Sequence, residues 1–302
     1  MSDQIDIAFG FDTKYARHAA AVLASIARYT DERRVRLLMV HAGVDEALRA
    51  QVESVAPKAN FVWIEVGDDD LPAYADRGHL NRTVLFRLGL EKLAPADCKR
   101  VIYIDADTIV LRDIRELWNT DLGENALGAA LDAYVDADHF ARLWSLPVGA
   151  SRYFNAGIQL INLERVRAER LFSAALDFIG EHDAKLLFGD QDALNYVFWG
   201  KWTRLDPAWN VQRFLNAKEL AGEIEEERRV VGGPALVHFI GTEKPWMPNV
   251  WHPWAWIYWD NIERTPFAAE VARDYGMNLY QLTRLRLRWW LRRPNAAGAL
   301  SR

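Results

Sequence analysis

Apolar and polar positions along the chain alternate between two rhythms. Ile5 to Phe11 is a near-continuous apolar run of buried-strand length, and Ala16 to Tyr29 follows with helical spacing. Val35 to Val40 reads as the next strand. Val44, Ala47, Leu48, Val52 and Val55 then form a helical stripe over residues 44–55. Phe61 to Val66 predicts a strand, Asn81 to Leu93 a helix, and Val101 to Ile104 another strand. Leu127 to Leu131 and Gly157 to Asn162 add strands; Leu163 to Glu181 and Asp190 to Trp199 add helices. Such alternation predicts an α/β fold with a mostly parallel sheet covered by helices. The rhythm fails from Asp206 to Gly233, a polar stretch carrying Glu225-Glu226-Glu227-Arg228-Arg229, which reads as a surface excursion. No internal repeat and no low-complexity linker divides the chain.

The strand at residues 101–104 runs into Asp105-Ala106-Asp107. Residues i and i+2 of a strand share a face, so both carboxylates can aim at one point past the strand's carboxyl end, where open α/β sheets commonly bind ligands. Two hard anionic oxygens there suit a divalent cation, and a cation suits a diphosphate. Aspartate is also a common turn residue, so the pair alone does not decide. Downstream, Val237-His238-Phe239-Ile240-Gly241-Thr242-Glu243-Lys244-Pro245-Trp246 combines a metal-ligand type, a glycine that admits a phosphate and a lysine that neutralises it. Tyr153-Phe154-Asn155-Ala156-Gly157 precedes a strand, and Gly189-Asp190-Gln191-Asp192 opens a helix. Singly, Asp190 also suits a helix start, His238 a satisfied core position and Asn155 a turn. Trp246, Trp251, Trp254, Trp256 and Trp259 suit core packing, with one or two rings as candidates for stacking on a sugar.

Together, Ile104-Asp105-Ala106-Asp107, Phe154-Asn155-Ala156-Gly157, Asp190-Gln191-Asp192 and the His238 to Trp246 motif resemble the retaining glycosyltransferases of family eight in order and spacing. That family includes bacterial lipopolysaccharide galactosyl- and glucosyltransferases, glycogenin and galactinol synthase. The resemblance, from about Ile5 to Trp246, implies a single Rossmann-like GT-A nucleotide-diphospho-sugar transferase domain over residues 1–260. It implies a UDP-hexose donor and Mn²⁺, with Mg²⁺ as the alternative. Asp105, Asp107 and His238 are then the expected metal ligands, Asp105 also reaching the ribose. Gly241 and Lys244 are expected at the diphosphate, and Asp12 and Tyr15 at uracil. Lys14 departs from the asparagine common in bacterial members. Arg87, Asn155 and Asp190 match donor-sugar contacts, and Gln191 matches the residue beside the anomeric carbon. Retention, also implied, admits two routes: same-face attack with Gln191 steadying the sugar cation through its carbonyl oxygen, or a covalent intermediate on Asp190. A neutral amide is a poor nucleophile, which favours the first.

Charge and composition refine this picture. The 302 residues carry a net charge of -5, which argues against nucleic acid as a partner. Cys98 is the lone cysteine, as suits a reducing cytoplasm, and no signal peptide or spanning segment is expected. Against this acidic background, Gln281 to Arg302 has arginines at 284, 286, 288, 292, 293 and 302, no acidic residue, and interleaved Leu285, Leu287, Trp289, Trp290 and Leu291. Residues 261–302 therefore read as a basic, aromatic helical tail that lies on an anionic membrane surface, giving a cytoplasmic protein bound peripherally to the inner face. A helix docked on the acidic body is the alternative, with nucleic acid third. Within the expected glycan or glycolipid acceptors, the basic tail points to a lipid-linked one, a growing lipopolysaccharide core or another glycolipid, over glycogen or soluble inositol. A UDP-sugar hydrolase and a non-catalytic sugar-nucleotide-binding protein are the competing functions; the latter should have lost a metal ligand or Lys244, and neither is lost.

Overall fold

The computed structural model describes residues 4–72, 82–212, 233–248, 252 and 254–296, with side chains of the last helix described through Leu287 and at Trp290. Asn81, Trp251, the Glu225 to Arg229 run and Arg302 lie outside the described residues, as do the side chains of Arg288, Trp289, Leu291, Arg292 and Arg293.

The strands are β1 (Ile5–Asp12), β2 (Val35–Ala42), β3 (Asn60–Glu65), β4 (Arg100–Ile104), β5 (Thr108–Val110), β6 (Leu127–Leu131), β7 (Phe154–Asn162), β8 (Thr203–Arg204) and β9 (Leu236–His238). Seven form one sheet in the order β3-β2-β1-β4-β7-β6-β8, and β5 pairs with β9 apart from it. In the large sheet β7 is antiparallel to β4 and β6, and the other pairings are parallel. This is the mostly parallel α/β sheet that the alternation predicts.

Helices cover both faces. They are α1 (Ala16–Tyr29), α2 (Glu46–Glu53), α3 (Phe86–Leu93), α4 (Arg115–Trp118), α5 (Ala137–Leu143), α6 (Leu163–Glu169), α7 (Leu171–His182), α8 (Asp190–Val197), α9 (Ala255–Ile262), α10 (Ala268–Asp274) and α11 (Leu279–Ala296). Ile5, Ile7, Phe9 and Phe11 of the central strand β1 pack with α1, α2, α9 and α10, whereas Ala8 packs with α3, α6, α7 and α8. Burial on both faces explains why β1 is nearly all apolar; its buried Asp6 is paired with Arg36. Ala16, Ala19, Ala20, Ala21 and Ala24 give α1 a slim surface, so it is buried almost all round. Trp246, Trp254 and Trp259 are buried, in keeping with core packing.

The sequence pattern does not predict the short elements β5, β8, α4 and α5, and two of the expected elements take a different form. Residues 163–181 form two helices, not one, because Arg170 takes a left-handed conformation at φ 54° between α6 and α7. The new helix start is capped from a distance: Glu91 Oε2 accepts from Phe172 N at 2.8 Å and Ser173 N at 3.1 Å. Its partner lies on α3, so no local pattern announces the break. Strand β7 begins at Phe154, which puts Asn155 inside the sheet and not in a turn before it.

Helix α11 is docked along one side and bare along another. Leu282 and Leu285 pack against the core, and the Arg286 guanidinium stands 5.6 Å from the Trp256 ring. Leu279, Tyr280, Leu287 and Trp290 are exposed. At 3.6 residues per turn these four fall on one arc roughly 100° wide, apart from the docked pair. Among the described residues, no helix is long and apolar enough to cross a membrane.

Candidate active site

Strands β1 and β4 open at the same sheet edge, and antiparallel β7 brings its first residues there. A cavity of about 710 Å³ lies at this edge. Asp105 extends the β4–β7 pairing by donating its N–H to Gly157 O at 2.8 Å. Thr108 Oγ1 closes the following turn on Asp105 O at 3.0 Å. The β5–β9 register then sets Thr108 opposite His238. That register brings His238 to the aspartates: its Nε2 is 3.4 Å from Asp107 Oδ1 and 3.7 Å from Asp105 Oδ2.

One ligand atom from each of Asp105, Asp107 and His238 lies within 4.8 Å of the others. Two carboxylate oxygens and an imidazole nitrogen are a suitable donor set for a divalent cation. Gly157 keeps the space open. A Cβ there would stand 2.1 Å from His238 Cε1 and 2.7 Å from Asp105 Oδ2. The residues fit a metal centre.

Lys244 Nζ donates to Asp107 Oδ2 at 2.5 Å and to Phe239 O at 2.7 Å. Burial alone would raise the Asp107 pKa; Lys244 and His238 outweigh it and hold the carboxyl well below its usual range. For Asp105 burial prevails over the opposing Arg87, and its pKa is raised. Gly241, at φ 75° with no heavy atom within 4 Å of its Cβ position, leaves the backbone beside Lys244 accessible to a phosphate.

Farther along the cavity, buried Arg87 bridges two carboxylates. Its Nη2 donates to Asp105 Oδ1 at 2.9 Å, and its Nε lies 2.7 Å from Asp190 Oδ2 in an ion pair without hydrogen-bond alignment. It also donates to Ala156 O and stacks 4.6 Å over the Tyr103 ring. Burial, only partly offset by Arg87, pushes Asp190 up to about 7. Gln191 Oε1 accepts from Ala156 N at 2.9 Å and Asn155 Nδ2 at 3.1 Å, while its Nε2 donates to Asp132 Oδ2 at 3.2 Å. The carbonyl oxygen expected to face a sugar cation therefore already accepts two hydrogen bonds.

The opposite end is aromatic. Tyr15 packs edge-on against Trp246 at 6.1 Å, and Trp246 stacks on His18 at 3.7 Å. Tyr15, Arg87, Asp105, Asp107, Asn155, Asp190, Gln191, His238, Gly241 and Lys244 all line the cavity. Asp12 is not among its described lining residues. Its Oδ1 instead accepts from Lys14 N at 3.0 Å and Tyr15 N at 3.1 Å, shaping the turn that presents Tyr15. Lys14 is exposed and likewise does not line the cavity.

Three residues that sequence patterns did not single out also stand here. Asp132 lines the cavity beside Gln191, just after β6. Asn210, within the expected surface excursion, is buried next to His238; the Asp206-Pro207 helix start was the available signal. Tyr275, beyond the expected domain end at 260, lines the aromatic end. It is set there by a helix stop in which Gly276 N bonds Arg273 O at 3.1 Å and Met277 N bonds Ala272 O at 2.8 Å.

The sequence profile described as Glycosyl transferase family 8 matches residues 6–249. The chain belongs to that family. General stress protein A of Bacillus subtilis (strain 168) is 31% identical over 255 residues, which cover 80% of this chain and 87% of the relative. Lipopolysaccharide glucosyltransferase WaaO of Escherichia coli (strain K12) is 26% identical over 261 residues, 84% of this chain and 74% of that one. The crystal structure of galactosyltransferase LgtC with donor and acceptor sugar analogs superposes with a TM-score of 0.78 at 27% identity, covering 90% of this chain and all of LgtC (100%). The protein is thus a family 8 glycosyltransferase with a GT-A-like fold, related to lipopolysaccharide galactosyl- and glucosyltransferases.

Proposed function

We propose that the protein transfers galactose or glucose from a UDP-sugar to a glycan or glycolipid acceptor, with retention of configuration, in lipopolysaccharide or cell-surface glycan synthesis. The observation that carries this reading is the Asp105–Asp107–His238 cluster with Lys244 against Asp107, in one cavity with Arg87 and Gln191. Cleavage of the sugar–phosphate bond leaves negative charge on the diphosphate and positive charge on the sugar. A divalent cation, Mn²⁺ or Mg²⁺, supplies charge to the diphosphate when bound to the three ligands. Lys244 adds a preorganised ammonium at the same place, where charge develops. Asn155, Asp190 and Arg87 supply polar contacts for the hexose, Gln191 and Asp132 border the anomeric carbon, and Tyr15 flanks the base. Exposed Tyr134 and Phe188 at the hexose end offer ring faces to an acceptor sugar.

Asp107→Ala is expected to abolish Mn²⁺-dependent transfer and weaken UDP binding with the fold intact by circular dichroism. Full activity in excess EDTA would refute the metal-dependent reading. Full-rate release of free hexose, insensitive to acceptor, would instead identify a UDP-sugar hydrolase.

The apolar arc of α11 and the arginine-rich sequence of the tail support a membrane-surface role for the C-terminal helix, on the inner face of the cytoplasmic membrane. Sedimentation with vesicles of anionic lipid should be strong at low salt and weaken as salt rises, because exposed charges are screened over about 8–10 Å near physiological ionic strength. Equal binding to neutral and anionic vesicles would contradict it.

A further inference from the structure

A directed chain of hydrogen bonds joins the metal cluster to the hexose end, and it passes through Asn210. His238 Nδ1 lies 3.1 Å from Asn210 Oδ1. Asn210 Nδ2 donates to Asn155 Oδ1 at 2.9 Å, and Asn155 Oδ1 also accepts from Gly157 N at 3.1 Å. Asn155 Nδ2 in turn donates to Gln191 Oε1 and Asp132 Oδ2, each at 3.1 Å. Asn210, Asn155 and His238 are all buried.

The directions are mutually dependent. Asn155 Oδ1 accepts from a backbone N–H, which fixes that amide. Asn210 must therefore present its NH₂ to Asn155 and its carbonyl oxygen to His238. An amide oxygen only accepts, so His238 carries its proton on Nδ1. The unprotonated Nε2 is then the atom facing Asp105 and Asp107, with its lone pair free for a metal.

We propose that Asn210 is a positioning residue that holds His238 in the ligand tautomer and, through Asn155, sets Gln191 and Asp132 in register with the metal cluster. The proposal rests on the metal-dependent reading above and adds to it a residue outside the cavity's described lining. Hydrogen-bond partners of metal-ligating histidines orient the ring and raise its basicity, and their loss typically costs about 10–100-fold in metal affinity.

Two substitutions separate the halves of the proposal. Asn210→Ala removes both hydrogen bonds. Asn210→Asp keeps an acceptor for His238 Nδ1–H but offers no donor to Asn155. Mn²⁺ binding to the UDP-bound protein, followed by electron paramagnetic resonance of free Mn²⁺, should weaken by about 10-fold or more in Asn210→Ala and stay near wild type in Asn210→Asp. In the metal-free proteins, long-range ¹H–¹⁵N spectra should show His238 protonated on Nδ1 in wild type and Asn210→Asp, and a tautomer mixture in Asn210→Ala. Asn210→Asp should nonetheless lose kcat, with donor KM little changed, because Gln191 and Asp132 are no longer held. Wild-type protein that binds no Mn²⁺ would overturn the underlying metal reading. If wild type binds Mn²⁺ and Asn210→Ala binds it equally, or if His238 is protonated on Nε2, the role assigned to Asn210 is wrong. Asn210→Asp with wild-type kcat would overturn its link to the hexose end. Should Asn210→Ala fail to fold, the Asn210→Asp kcat and the wild-type tautomer decide alone.

Discussion

The two ends of the cavity solve different recognition problems with different materials. At the aromatic end, the side proposed for the base, Tyr15, Trp246 and Tyr275 line the cavity; buried His18 stacks on Trp246 at 3.7 Å, with its Nδ1 2.7 Å from Tyr258 Oη. At the other end, proposed for the hexose, Arg87, Asp190, Asn155, Gln191 and Asp132 form a dense polar lattice. A planar base is held largely by stacking on a flat surface, whereas a hexose presents hydroxyls that need fixed donors and acceptors. Burial suppresses charge at both ends, with opposite effects on acid and base. It pushes the Asp190 acid up to about 7 and the His18 base down to about 3. Burial keeps the His18 and Tyr15 rings uncharged at neutral pH; the polar end keeps a buried cation between two carboxylates.

The polar end should therefore be the more fragile. Arg87→Met removes the cation and leaves Asp105 and Asp190 buried together without it. Breaking a buried pair from one side typically costs about 3–5 kcal/mol, and the expected result is a loss of this order in urea denaturation with transfer reduced to background. A stable, active Arg87→Met protein would show that Asp105 and Asp190 do not need their bridge.

A smaller effect is expected at Gln191. Its side chain is hydrogen-bonded to Asn155, Ala156 and Asp132, and on the proposed reading Lys244 and the Asp105–Asp107–His238 cluster still serve the leaving diphosphate in its absence. Gln191→Ala should slow transfer by about 100-fold, comparable to the loss of one preorganised polar group, and leave measurable activity. That outcome agrees with same-face attack. A glycosyl adduct on Asp190, trapped and located by mass spectrometry, would instead establish two displacements.

The contrast also marks what the sequence reveals. The Asp105–Asp107–His238 cluster was legible because its parts are compact motifs, although β4 ends at Ile104 and the turn into β5, not strand alternation, carries Asp107. Six of the seven strands of the large sheet were legible because each is a distinct apolar run; the edge strand β8, Thr203–Arg204, has no such run to predict it. Asp132 and Asn210 were not legible, since each is a single polar residue between apolar neighbours, Leu131 and Ala133 or Trp209 and Val211, at the end of a short element and outside any motif. Their roles come from contacts over long sequence separations, such as Asn210 with Asn155. Tyr275 was hidden similarly: its helix stop is local, but its approach to the cavity depends on how α10 packs on α1, where Arg17 pairs with Glu270 at 2.9 Å and Asp274 at 2.5 Å. The break at Arg170 follows the same rule, as its cap comes from Glu91.

The smallest expected effect is a pH-dependent one at the aromatic end. His18 is buried and flanked by Arg17, so its folded pKa falls to about 3 from an ordinary 6.5. The unfolded chain takes up this proton as pH drops below 6.5, while the native protein does not. Stability from neutral His18 is thus fully present above pH 6.5 and is lost progressively toward pH 3. Asp190 has the opposite sign, since its raised pKa makes the native state bind the extra proton between 3.8 and about 7. A comparison of His18→Gln with wild type isolates the histidine, because the Asp190 contribution is common to both. Between pH 7 and pH 5, wild type should lose about 2 kcal/mol of unfolding free energy relative to the variant, as one unit of pKa difference corresponds to 1.36 kcal/mol. Urea denaturation at the two pH values measures this directly. A pH-independent difference between the proteins would mean that His18 can be protonated in place, and that the aromatic end tolerates charge as the polar end does.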